Sequence, residues 1–466
     1  MKKNKNPDRK KVLKTRRIAY TVASLVFMLT LATLFAFSFD FLHRPTFSES
    51  EKRELASFPD FTVRTLLSGD YFDGINEWFA DTFPFRDTFV GVSSNIKKCI
   101  GIGQNVHNFA ENNADVIPDI QQESQSFVDI TVVTPDKNTQ QSIDKPTLPA
   151  GDKYTNPSQG ADGDIIEQNF DSIYIYGNSA YEYYNFVRST ADSYAQVINA
   201  GADSAAASGI NFYNMLIPTS VDIILDDTAR QKLNSSDQKS AINHMNSLMN
   251  DNVRQVHIFD LLKEHRDEYL YYRTDHHWTS LGAYYAYAQF MAVKGVRYKP
   301  LTDFNEYEFS GFLGSFYSDT NKNTALEKYP DTVYAYVPKA DISFRMLQKG
   351  ASEYIDWPLV CDVTSYSPSY KYLCFIGGDN PVSVITNNSI TDGKTCVFVK
   401  ESFGNAFAPY LAAEYKTVYV IDYRHFDGNI VEFAKEKGAS DILVQNNISM
   451  TRNSSLVDKL GKSFGK

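Results

Sequence analysis

The chain has 466 residues, 43% of them hydrophobic and 22% charged, with 24 Gly and 17 Pro; this describes a globular protein of about three domains and excludes collagen-like, wholly disordered and disulfide-scaffold classes. The net charge of −10 divides unevenly: the first 17 residues hold nine Lys/Arg against one Asp, and the rest carries 37 bases against 55 acids, or −18. An acidic body argues against a nucleic-acid partner, which is held through basic surface.

Residues 18–39 carry no formal charge, and at 1.5 Å per residue they make roughly 33 Å of helix, enough to cross a bilayer. They predict a transmembrane helix. The bases before it place the tail, residues 1–17, in the cytoplasm and everything after Asp40 outside, so the expected localisation is the cell membrane, single-pass, with an extracytoplasmic body. A cleaved signal peptide is the rival reading, since Ala36-Phe37-Ser38 offers a small-residue processing site, but apolar cores of such peptides run only about 7–15 residues.

Residues 40–103 read as a helical juxtamembrane segment: Phe72, Ile75, Trp78 and Phe79 recur at helical spacing, and Pro84 breaks the pattern. Residues 104–166 are rich in Asn, Gln, Ser, Asp, Pro and Gly with isolated apolar positions, which predicts a flexible polar linker or insertion. From 167 to 466 strands and helices alternate. Strand candidates are 173–177, 211–218 and 253–260, then 372–378, 395–400, 417–422 and 441–445; helices are expected over about 181–200, 236–249 and 280–294, with an irregular aromatic stretch over 296–370. Such alternation predicts an α/β fold with a largely parallel sheet and helices on both faces, whose ligands bind beyond the carboxyl ends of the strands. No glycine-rich phosphate loop follows any strand, and no cofactor is expected.

The four cysteines, Cys99, Cys361, Cys374 and Cys396, allow three pairings in an oxidising compartment; buried free thiols are the other reading for Cys374 and Cys396, which sit in apolar runs. No Cys/His spacing suits a structural metal.

Two segments carry chemistry. In Asp275-His276-His277-Trp278 the alternation of an extended chain puts Asp275 and His277 on one side, the pairing in which a carboxylate orients an imidazole. In Glu401-Ser402-Phe403-Gly404 a serine ends an apolar strand and opens a helix, which exposes its hydroxyl. The N–H groups of Phe403 and Gly404 are candidate oxyanion donors, and Gly404 would let a substrate approach the backbone. Ser402, His277 and Asp275 supply nucleophile, base and orienting acid. The bland readings are a serine N-cap and a capping turn; His276 and His277 as metal ligands is a third, without a partner cluster. At the strand ends, Arg424 suits an oxyanion, an anionic polymer or a salt bridge. Asn380 and Asn447 suit a second oxyanion hydrogen bond or turn chemistry. The 30 Tyr and 32 Phe suit core packing or a sugar-stacking groove.

With FPFRD at 83–87, Asp275-His276-His277-Trp278-Thr279 and ESFGNAF at 401–407, the chain resembles the DHHW family of bacterial envelope proteins, which is similar to the alginate O-acetylation proteins of SGNH-hydrolase-like fold. The resemblance implies an Asp-x-His pair ahead of the serine in chain order, met by Asp275, His277 and Ser402. It implies an O-acyltransferase or acylesterase acting on a cell-envelope polysaccharide, beside a membrane-bound O-acyltransferase that supplies acyl groups. A catalytically silent glycan- or partner-binding scaffold is the alternative. The sequence departs from the relatives at Glu401, where Asp is commoner, and in the 104–166 insert.

Overall fold

A strand with apolar residues on both faces needs cover on each side, and the central strands of this chain's main sheet are of that kind. The computed structural model describes residues 172–391 and 393–466 continuously, with 167–170, 152–156, 148, 114–118 and scattered positions from 44 to 83. The chain forms two units, 1–100 and 101–466. The apolar segment 18–39 and Cys99 lie outside the described residues; among those described, no helix is long and apolar enough to cross a membrane.

In the first unit Phe47–Ser48 pairs antiparallel with Arg53–Glu54, and Tyr71, Gly74, Ile75, Trp78 and Phe79 are helical. The Arg44 guanidinium lies 4.3 Å from the Trp78 ring centre and donates to Thr82 Oγ1 at 3.1 Å, joining a cation–π contact to a hydrogen bond.

The main sheet of the second unit has, among the described residues, eight strands, here β1 (Asn211–Ile217), β2 (Val253–Gln255), β3 (Ile342–Leu347), β4 (Ile355–Asp356), β5 (Val382–Asn387), β6 (Thr395–Lys400), β7 (Thr417–Asp422) and β8 (Asp441–Asn447); Glu167–Phe170, Ile173–Tyr176 and Ser179–Glu182 form a separate three-stranded sheet. The spatial order of the eight is β4-β3-β5-β7-β6-β8-β1-β2. From β7 across to β2 every pairing is parallel, whereas β5, β3 and β4 extend the other edge antiparallel. The sheet is therefore mixed, a correction to the largely parallel expectation. Helices α1 (Arg188–Ala207), α2 (Gln238–Ser247), α5 (Ile430–Glu436) and α6 (Ser454–Ser463) cover one face; α3 (Ser280–Val293) and α4 (Gly404–Leu411) cover the other. Strand β1 shows why: Phe212 and Leu216 enter the first core, and Tyr213, Met215 and Ile217 the second, the two-residue alternation of a strand.

Several local readings change: the helix expected over 181–200 runs Arg188–Ala207 after a strand at Ser179–Glu182, and the strand expected over 253–260 ends at Gln255. Residues 372–378 end a 3-10 helix (Pro368–Cys374) and continue into a turn with positive φ at Ile376, Gly377 and Gly378. The run is buried as a strand would be, and burial is all that an apolar run reports. The stretch 296–370 contains β3, β4 and a hairpin of Phe304–Phe312 against Asp331–Pro338. Within 104–166, Asp115 Oδ2 accepts the Arg188 N–H at 2.8 Å, a cap for α1 that its own N-cap residue Val187 does not make. Thr155 bridges to Glu268, so a linker reading does not extend to these positions. The three described cysteines, Cys361, Cys374 and Cys396, are free and buried.

The parallel strands β7-β6-β8-β1-β2 take, when counted from β6 and continued from β8 to β1, the order 2-1-3-4-5 of a doubly wound sheet entered at its fourth strand. In that order the switch point falls between the first and third strands. Here those are β6 and β8.

Candidate active site

Strand β6 ends at Lys400, and Glu401, Ser402 and Phe403 form the turn into α4. Gly404 is required by packing: a Cβ there would collide with Lys400 and Phe398. This corrects the substrate-approach reading, because the bare side of Gly404 faces its own strand. The turn is held by two aromatic side chains. Trp278 Nε1 donates to Phe403 O at 2.8 Å, and Tyr372 OH donates to Ser402 O at 3.0 Å.

The histidine segment is a tight loop. Tyr272 N–H donates to His277 O at 3.2 Å and Thr279 N–H to Leu270 O at 2.8 Å, after which Thr279 caps α3. Inside the loop Asp275 Oδ1 lies 2.6 Å from His277 Nδ1 and accepts the His277 N–H at 3.0 Å. Its other oxygen accepts the Ser315 N–H at 2.7 Å. Gly314 clears this passage, since a Cβ there would overlap Asp275. His277 Nε2 is 2.8 Å from Ser402 Oγ, and the Tyr372 ring stacks on His277 at 4.1 Å and 13°. The structure thus brings Asp275, His277 and Ser402 into one hydrogen-bonded line, although 125 residues separate the last two.

A carboxylate that accepts two N–H groups and faces Nδ1 fixes the imidazole so that Nε2 can take a proton from the serine. Asp275, His276 and His277 are also the group among the described residues whose ligand atoms lie close enough, within 4.8 Å, to hold a metal ion. Asp275 Oδ1 and both His277 nitrogens are already committed to the line of hydrogen bonds and Asp275 Oδ2 to the Ser315 N–H, which suits proton transfer better than ligation.

Beside the turn lies a second charged arrangement. Buried Lys400 reaches Asp379 at 2.9 Å and Asp422 at 3.0 Å, and Arg424 reaches the same two acids at 2.7 and 2.6 Å. Burial by itself would raise both carboxyls, but the two cations outweigh it and hold them below their usual range. Asn405 Nδ2 also donates to Asp379, at 2.9 Å.

The proposed oxyanion groups are placed differently from one another. Phe403 N–H donates to Glu401 Oε2 at 3.2 Å, and Gly404 N–H to Glu401 O at 2.9 Å, so both amides are engaged within the turn. Asn380 faces Gly377 O and Met346 Sδ. Asn447 lines the Ser402 cavity, but its backbone N–H is held by Glu401 Oε1 at 3.0 Å and its Oδ1 caps Ser449. Arg424 lines the same cavity while paired with the two acids.

Glu401 therefore bridges the ends of β6 and β8, and burial pushes its carboxyl up against the pull of Arg424 and of the two backbone N–H groups. The pattern of types along the chain passes over Tyr372, Ser315 and Asp331, whose Oδ2 accepts from Thr274 N–H at 2.8 Å behind the loop. The one usable signal is Lys400, a charge closing an apolar strand.

A family model described as DHHW protein matches residues 51–421. No curated protein matches the chain. Among solved structures, a DHHW family protein from Eubacterium siraeum is 24% identical with a TM-score of 0.58, over 64% of this chain and 98% of that one. Bacillus cereus PatB1, solved with a sulfonyl adduct, is 17% identical with a TM-score of 0.49, over 62% and 96%. The O-acetyltransferase domain of Pseudomonas putida AlgJ is 11% identical with a TM-score of 0.32, over 64% and 99%. The first of these is a likeness of fold.

Proposed function

The chain belongs to the DHHW protein family, and from that premise we propose that it is a membrane-anchored, extracytoplasmic serine O-acyltransferase or acylesterase. One observation carries the reading: the line Asp275–His277–Ser402, with contacts of 2.6 and 2.8 Å, at the switch point of the sheet. His277 Nε2 takes the Ser402 proton as Oγ bonds to an acyl carbonyl carbon. The imidazolium, oriented by Asp275, returns that proton to the leaving oxygen. An acceptor hydroxyl, or water, then reverses the steps and carries the acyl group away.

The acceptor we infer is polyhydroxylated, a cell-envelope polysaccharide. The cavity at Ser402 is about 340 Å³, and its lining mixes apolar side chains with polar ones, Glu182, Asp319, Ser449, Arg452 and Asn453 among them, groups suited to bonding hydroxyls. Acetyl is the acyl group expected from the resemblance, supplied by a membrane-bound O-acyltransferase; residues 18–39 anchor the body beside it. The scaffold reading draws on one observation, the engagement of the Phe403 and Gly404 amides.

The deciding experiment is hydrolysis of p-nitrophenyl acetate by the full-length protein, with fluorophosphonate labelling. Labelling at Ser402, and loss of both signals in Ser402→Ala, are expected. Undiminished turnover in Ser402→Ala sinks the reading, and product analysis with added oligosaccharide separates transfer from hydrolysis.

A further inference from the structure

Acyl transfer needs a donor for the carbonyl oxygen as it becomes an oxyanion, and the amides of Phe403 and Gly404 are taken. His276 offers another. Its ring lies over that of His277, with centroids 3.9 Å apart, and its side chain, 36% exposed, lines the cavity that holds Ser402.

The tautomer of His276 is coupled to the direction of its hydrogen bond with Ser315. Nδ1 is 2.6 Å from Ser315 Oγ, and the same oxygen accepts the His276 backbone N–H at 3.4 Å. With the Ser315 hydroxyl donating to Nδ1, one of the two arrangements this contact allows, a neutral imidazole carries its proton on Nε2. Ser315 cannot drift, since its N–H is held by Asp275. Burial, and then the neighbouring His277, push the His276 imidazolium down to about 4, against the opposing pull of Asp275, Glu182 and Glu401. The ring is therefore neutral at pH 7. No described residue takes the Nε2 hydrogen.

We propose that His276 is an oxyanion donor: its Nε2–H hydrogen-bonds the oxygen of the acyl group while Ser402 attacks the carbonyl carbon. A neutral donor polarises the carbonyl and keeps its proton, so His277 alone moves a proton in the step. One short loop thus supplies both the base and the electrophilic donor, with Ser315 aligning both through Asp275 and His276. The inference rests on Ser402 being the nucleophile.

Full-length His276→Phe and His276→Gln are the test, with p-nitrophenyl acetate as substrate. Phe keeps the ring over His277 and deletes the donor; kcat is expected to fall about 10²–10³-fold with KM changed less than about 3-fold. Gln places an N–H near the same point and is expected to recover at least about 10-fold of that loss. Nitrogen-15 NMR of the histidines should show His276 neutral with Nε2 protonated at pH 7. Near wild-type kcat in His276→Phe overturns the proposal, as does a Gln variant no better than Phe, or an Nδ1-protonated ring. Absence of fluorophosphonate labelling in the unmutated protein fails the nucleophile reading instead, and is scored separately.

Discussion

The two sets of charge beside the Ser402 turn follow different rules. In the histidine set, Asp275, His276 and His277 place one acid with two ionisable rings, and the ring nearest Ser402 has a partner on each nitrogen. In the lysine set, Lys400 and Arg424 face Asp379 and Asp422 with every charge matched. A balanced cluster gains nothing by shifting a proton, and removing one member leaves a charge without compensation. The first arrangement suits proton transfer and the second suits holding the ends of β6 and β7. If that division is right, substitutions in the two sets should separate activity from stability.

The largest effect is expected from Asp275→Asn, which keeps the shape and removes the orienting charge: kcat for ester hydrolysis should drop about 10⁴-fold, with a small change in urea midpoint. Loss of stability without loss of activity would break the comparison. Next, Lys400→Met leaves the buried Asp422 and the more exposed Asp379 with Arg424 alone and should cost about 3–5 kcal/mol in urea unfolding, while the folded fraction keeps its kcat. A thermal melt across pH should then show two limbs. His276, pushed down to about 4, stays neutral in the fold while the unfolded chain takes up a proton near 6.5, so stability falls as pH drops from about 6.5 to 4. Asp379 and Asp422, held below their usual range, contribute stability that is complete above about 4 and is lost as pH falls through their depressed values. His276→Phe should flatten the upper limb and Asp422→Asn the lower; the reverse would exchange the two sets. The smallest effect is expected from Tyr372→Phe, which keeps the stack on His277 and removes the bond to Ser402 O, at about 1 kcal/mol of stability.

Residues 372–378 and Lys400 show where the sequence could be read and where it could not. The apolar run at 372–378 announces burial, yet the same burial serves a 3-10 helix that places Tyr372 against His277. Strand β5, with Ser383 and Thr386 among its apolar residues, gives a weaker signal and nevertheless joins the sheet through β7. Tyr372, Ser315 and Glu401 have no local pattern that marks them, because their partners lie 30 or more residues away or form only once the turn exists.

The sequence alone determined what depends on neighbours along the chain: the alternation that makes β6 and β8 apolar on both faces, the strand-to-helix turn at Ser402, and the Asp275–His277 spacing that lets one carboxylate face one imidazole. Tertiary structure decided what depends on pairing between distant segments: the antiparallel extension of the sheet, the matching of Lys400 and Arg424 to two acids, and the capture of the Phe403 amide by Glu401. Strand pairing and charge compensation reward contact in space at any separation in sequence. The Ser402 turn was therefore visible as a local pattern, whereas the packing of His276 over His277 was not.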